Sequence, residues 1–211
     1  MGRFRKGILG GFSGKVGNII GGSWKGITYM RSLSEITKRP PSEKQLMQRA
    51  RFAYGVSFLQ PLHPVIRVGY RNQADQKSPI NAALAHVLKK VVQGDYPAYQ
   101  IGYSQFEMAK GLLPVTKTHQ IQLVDDHIEF SWTDSSNTQT EHGDNQALLL
   151  AMGEGIYPAY SIDEYKRNEL SAQLPLPAGA SGTSVYCYLA FASDKNASVS
   201  NSQYLGSVVL P

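Results

Sequence analysis

The chain has 211 residues, 42% of them hydrophobic and only 18% charged, with 12 tyrosines and 7 phenylalanines for bulk. That suffices for one large or two small domains with a packed core, and leaves neutral surface that favours association. Its one cysteine, Cys187, excludes an internal disulfide and reads as a small buried residue, since no histidine or aspartate pattern beside it marks a nucleophile.

Charge is unevenly distributed. Residues 1–60 carry eleven Lys/Arg against Glu35 and Glu43, residues 61–118 seven against three acids, and residues 119–211 three against eleven. A basic front and an acidic back allow two readings: the front binds an external polyanion, or it binds the acidic half of another copy. Arg3, Arg5 and Lys6 begin like a signal peptide, but glycines and Lys15 follow where an apolar block should stand. Lys6 occupies the position where myristoylation after Gly2 needs Ser or Thr. No window approaches the ~18 apolar residues of a membrane span. The expected location is the cytoplasm, or a released assembly, with no membrane partner.

In chain order, the first feature is Gly7 to Ser32, with eight glycines among Lys15, Lys25, Arg31, Trp24 and Tyr29. Glycine costs roughly 0.5–1 kcal/mol relative to alanine in a regular element, so this density implies close backbone approach or repeated positive φ. The runs Lys15–Ile20 and Ser23–Arg31 read as two strands joined by a Gly21-Gly22 turn. In the second run Trp24, Gly26, Thr28 and Met30 alternate with Lys25, Ile27, Tyr29 and Arg31. A lone hairpin is marginal in water and must lie on something, either its own subunit or a neighbour. The candidate interaction residues are Lys15, Ile19, Ile20, Trp24, Lys25, Ile27, Tyr29 and Arg31.

Arg39-Pro40-Pro41 ends this arm, and Ser42 with Gln45 makes a capping box for a helix to about Gln60. Its apolar positions are Leu46, Met47, Ala50, Ala53, Tyr54 and Phe58; Lys44, Arg49 and Arg51 read as a solvated face. Leu62 to Tyr70 continues as a kinked helix after Pro61. Ser78-Pro79 starts another, with a stripe of Ile80, Ala83, Leu84, Val87, Leu88 and Val91 closed by Gly94. His86 beside that stripe reads as a core histidine rather than a ligand.

After Pro97 the period becomes two. Strands are expected around Tyr99–Tyr103, Ile121–Val124, Ile128–Trp132, Ala147–Met152, Glu169–Leu174, Val185–Phe191 and Tyr204–Leu210, with a turn at Asp125-Asp126. Short strands uninterrupted by helices argue for a β-sandwich. Trp132 closing an early strand, the Leu174-Pro-Leu-Pro-Ala-Gly link, the Ser184–Ser193 strand and the Ser200–Leu210 strand together resemble a fibronectin type III-like module over about 115–211. The long Thr133–Gly143 loop departs from that module. The front, Gly-Gly-Phe-Ser-Gly-Lys-Val-Gly…Ser-Trp-Lys-Gly-Ile-x-Tyr-Met-Arg, is similar to a bacterial family of uncharacterised proteins, which implies no activity.

Catalytic and cofactor motifs fail on their frames. A phosphate loop on Gly14-Lys15 needs glycine where Leu9 stands and Ser or Thr where Val16 stands. Histidines 63, 86, 119, 127 and 142 show no paired-ligand spacing, although His119 and His127 flank one hairpin and could approach each other. Ser13 and Ser181 lack the Gly-x-Ser-x-Gly frame. No metal, cofactor or catalytic residue is expected, and the chain reads as a non-enzyme.

The expected fold is α+β: a Gly-rich basic hairpin arm (1–38), a helical region (39–97), and a fibronectin type III or Ig-like β-sandwich (98–211). The expected function is a structural protein that assembles with copies of itself into a filament, tube or phage-like particle, basic arm against acidic sandwich. The alternatives are a nucleic-acid-binding protein that uses the basic front, and an adhesive or carbohydrate-binding sandwich.

Overall fold

Residues 1–42 and 43–211 form two units. The structure, a computed structural model, describes residues 3–4, 10–24, 26–35, 40–73, 77–135, 137, 141–177 and 181–211. In the first unit, β1 (Arg3–Phe4), β2 (Phe12–Val16), β3 (Ile19–Trp24) and β4 (Ile27–Ser32) make one antiparallel sheet in that order. The turn expected at Gly21-Gly22 is not there. Val16 pairs with Ile19, so the two-residue turn is Gly17-Asn18, and Gly17 supplies φ +57. Primed hairpin turns require such positive φ. A second turn follows Trp24, which pairs with Ile27, and Gly26 there has φ +83.

Gly21 and Gly22 instead lie inside β3, opposite Met30 and Tyr29. A side chain at Gly21 would strike the Phe12 carbonyl and come within 2.7 Å of the Phe12 ring; one at Gly22 would come within 2.9 Å of the Tyr29 ring. The two glycines make room for aromatic rings laid across the sheet, a packing that compensates for glycine's poor strand propensity.

The second unit starts with α1 (Glu43–Leu59), a short 3-10 turn, and α2 (His63–Gly69). Then comes α3 (Pro79–His86), whose Ser78 hydroxyl caps it by accepting from the Asn81 amide at 3.2 Å. A π-helical turn, Val87–Val91, carries α3 into β5 (Val92–Gln93), which pairs with β6 (Gln100–Ile101). Gly94, φ +79, therefore serves the link after β5 rather than the helix end. The stretch Tyr99–Phe106, expected as a strand or a strand and turn, is β6 followed by a 3-10 turn at Tyr103–Gln105.

Seven longer strands follow: β7 (Thr118–Val124), β8 (His127–Thr133), β9 (Gln146–Met152), β10 (Ala159–Ser161), β11 (Ser171–Pro175), β12 (Ser184–Ala192) and β13 (Gln203–Val209). They form a four-stranded sheet, β10-β9-β12-β13, and a three-stranded sheet, β11-β8-β7, all pairs antiparallel. The chain is thus α+β with several antiparallel sheets. Asp125 adopts φ +44 in the turn between β7 and β8. His119 pairs with Trp132 at one end of this hairpin and His127 with Val124 at the other, so the two histidines are not brought together.

Two hydrophobic clusters account for the layering. Ala147, Leu149 and Ala151 of β9 and Val185, Cys187, Leu189 and Phe191 of β12 meet Ile128, Phe130 and Trp132 of β8. The alternate positions, Leu148, Leu150, Met152, Tyr188 and Ala190, meet Leu59, Leu62, Ile66, Val87 and Val91 from the helices. The helices therefore cover the back of the four-stranded sheet within their own subunit. Arg51, expected on a solvated face, donates to the Leu88 and Val92 carbonyls at 2.9 and 3.2 Å. Those carbonyls lie at the end of the π-turn, where helical acceptors lack internal partners.

Arg167 is fully buried. Its Nε and Nη2 donate to both carboxylate oxygens of Asp134, its Nη1 donates to the Pro114 carbonyl at 2.6 Å, and its guanidinium lies 4.3 Å from the Phe191 ring centre. Trp132 Nε1 donates to the Arg167 carbonyl at 2.9 Å. Both side chains of the ion pair are shielded from water, at 0% and 2% exposure. Removing one partner of a buried pair leaves an unpaired charge, at a cost of about 3–5 kcal/mol. Arg167→Met and Asp134→Asn should each lower unfolding stability by about that amount, as read by denaturant titration. The double replacement with Leu at 134 should lose clearly less than the two singles summed.

Candidate functional site

The arm sheet holds the residues singled out from sequence, and its register sorts them. Directly paired residues share a face, so Lys15, Ile20, Trp24, Ile27, Tyr29 and Arg31 lie on one side. Trp24 thereby joins Ile27 and Tyr29, because the turn after it reverses the alternation expected for one continuous run. Ile19 falls on the opposite side with Val16 and Met30. Lys25 lies outside the described residues.

Apolar groups on both sides meet solvent. Ile27 is 68% exposed, Met30 70% and Trp24 53%, and every residue of β4 is exposed. The outer edge of β4 has no strand beside it among the described residues, and such an edge is a template for a further strand.

A second site was not found from the sequence. In the unit formed by residues 43–211, Tyr54 and Phe58 of α1, Ile101 and Tyr103 after β6, and Glu154 in the β9–β10 turn line a cleft of about 320 Å³. A neighbouring cleft of similar size shares Tyr54, Ile101, Tyr103 and Glu154, and adds Tyr99 and Tyr186. Tyr103 and Tyr186 stack with centroids 4.1 Å apart and planes 7° apart; Tyr54 and Tyr99 are 6.1 Å apart. Tyr103 is fixed because its carbonyl accepts the Tyr188 hydroxyl at 2.7 Å. The tyrosines come from three separate segments, so no single local spacing announces the cleft.

Burial, then the negative charge of Glu154 and the neighbouring phenols, pushes the Tyr103 phenol up to about 12. Burial and Glu154 also raise Tyr54. Cys187 is a free thiol in the buried cluster of β8, β9 and β12, and burial pushes it up to about 12, so it is chemically quiet at neutral pH. Among the described residues no cluster of His, Cys, Asp or Glu could hold a metal ion, and no helix is long and apolar enough to cross a membrane.

A model of a family of unknown function (DUF6266) matches residues 11–206. No curated protein and no solved structure matches the chain.

Two outcomes follow from this geometry. Gly21→Val should disrupt the arm sheet through its clash with the Phe12 backbone, seen as a change in Trp24 fluorescence, with the thermal midpoint of residues 43–211 unmoved. A phenol raised on folding adds stability that is complete below the unfolded value of 10.0 and falls as pH rises toward about 12. Alkaline titration should therefore show a fraction of phenolate absorbance appearing late, with loss of folded structure, and none of that loss below pH 10.

Proposed function

We propose that this chain, which belongs to the DUF6266 family, is a non-enzymatic structural protein that assembles with copies of itself through its arm. The observation that carries the reading is the arm sheet, with large apolar side chains exposed on both faces and, among the described residues, no strand beside the outer edge of β4. A two-faced sheet of this kind gains stability only by acquiring a cover, at roughly 1.5–3 kcal/mol for each large apolar side chain buried.

Charge supports the same reading. Residues 1–42 hold eight Lys/Arg and one acid, while residues 119–211 hold eleven acids and three cations. Arg167 and Asp134 neutralise each other internally, so the remaining surface of that segment is more one-sided than the raw count. A basic arm on an acidic partner surface is a heterologous contact, which closes into rings or runs on into filaments. The three-plus-four order of strands supports a fibronectin type III-like module as the body of the subunit, and the exposed Phe52 and Val56, one turn apart on α1, offer a further contact face.

Light scattering and negative-stain microscopy on the purified chain test this directly. Particles much larger than 23.2 kDa are expected at low ionic strength, and they should shrink as salt screens the charges. Trp24→Ser with Ile27→Ser should raise the protein concentration needed for assembly on the order of tenfold. A monodisperse monomer at high concentration and low salt overturns the reading. A monomer that instead retards DNA or RNA, less so as salt rises, transfers the basic front to nucleic-acid binding.

A further inference from the structure

Among the described residues, Glu154 is the only charged side chain lining either aromatic cleft, and no described lysine, arginine or histidine is present in their walls. Tyrosine ring faces carry partial negative charge and attract a cation centred over them, the more so when it is partly desolvated. A carboxylate at the mouth adds an ion-pair partner, while a lone acid is too few for a metal and the wrong sign for an anion. The lining, aromatic rings with one carboxylate, suits a long side chain with an apolar stem and a charged tip, which buries its methylenes against rings and keeps its head at the rim.

We propose that the cleft formed by Tyr54, Tyr103 and Tyr186 with Glu154 at its mouth receives a lysine or arginine side chain from the basic arm of a second copy of the chain. This rests on the self-assembly reading and gives it a specific receptor. Charge complementarity selects the occupant: the arm face defined by the sheet register carries Lys15 and Arg31 beside Trp24 and Tyr29, and no acid lies in residues 10–34. A cation delivered with flanking aromatics matches an acid delivered with flanking aromatics. The contact is heterologous, since donor and receptor are different surfaces, and so it closes into a ring or runs on into a filament.

The probe is a fluorescently labelled synthetic peptide of residues 11–32, titrated by anisotropy into the full-length chain at low ionic strength. Saturable binding is expected. Glu154→Gln should weaken it about tenfold, and replacing Lys15, Lys25 and Arg31 of the peptide by glutamine should abolish it. Glu164→Gln, an exposed acid elsewhere on the same unit, should leave it unchanged. Absence of binding, or equal losses for the two glutamine variants, overturns the cleft and leaves only a diffuse charge effect. Light scattering on the same proteins keeps the two ideas apart. Binding that depends on Glu154 without assembly of the wild-type chain retains the cleft and removes self-assembly. Assembly unaffected by Glu154→Gln retains self-assembly and removes the cleft.

Discussion

Residues 43–211 are arranged around a four-stranded antiparallel sheet that has to be covered on both sides. Antiparallel sheets commonly leave one face to solvent, with apolar and polar residues alternating along each strand. Here β9 is buried along Ala147–Met152, and β12 along Tyr188–Ala192, with no polar position in either run. A two-layer sandwich alone would leave one face of such strands uncovered. One set of positions must meet the three-stranded sheet and the other must meet helices, as the two clusters show. The helices are consequently part of the subunit's own core. Their contact with Leu148, Leu150 and Tyr188 holds α1, α2 and α3 in place, and with them the walls of the aromatic cleft.

The three-stranded sheet is held by a different device. Trp132 and Phe191 meet edge to face at 5.7 Å, and the Arg167 guanidinium lies over Phe191. From there its hydrogen bonds reach Asp134, in the loop after β8, and the Pro114 carbonyl ahead of β7. An ion pair so deeply shielded contributes less net stability than its geometry suggests, because both groups give up hydration. Its effect is specificity. Loops from separate places in the chain must converge on one guanidinium, and any other arrangement strands a charge in an apolar interior. On the opposite edge Gln203 performs a milder version, accepting from the Thr116 amide and hydroxyl and donating to the Thr116 carbonyl.

Strand positions were readable from sequence because they depend on local pattern. The pairs β7–β8 and β12–β13 fall within a few residues of expectation, and Asp125-Asp126 turns where aspartate tolerates positive φ. β10, three residues long, carries too little pattern to be seen. What failed was non-local or depended on who sits opposite. Gly21-Gly22 looks like a turn until Phe12 and Tyr29 are placed over it. Arg51 looks solvated until the π-turn presents its carbonyls. Arg167 looks like a surface cation in an acidic stretch, since nothing nearby in sequence names Asp134 or Pro114. The cleft escaped for the same reason: Tyr54, Tyr103, Glu154 and Tyr186 share a wall only once helix, turn and sheet are stacked.

The arm poses the converse problem, a sheet whose register is well specified and whose packing is not supplied by its own residues. Gly21 and Gly22 lie against rings from neighbouring strands, so the sheet is built for definite cross-strand contacts rather than for looseness. Yet Trp24, Ile27 and Tyr29 stand on one face while Val16, Ile19 and Met30 stand on the other, all substantially exposed. A sheet meant to dock once would concentrate its apolar residues on one side and make the other polar. Apolar residues on both sides call for two covers. If copies of the chain provide them, a symmetric dimer that buries one face leaves the other still exposed, and only an arrangement that uses both faces satisfies the sheet. On the proposed self-assembly, that favours an extended arrangement over a closed pair, and the cations among the aromatics would be the groups that meet an acidic partner surface.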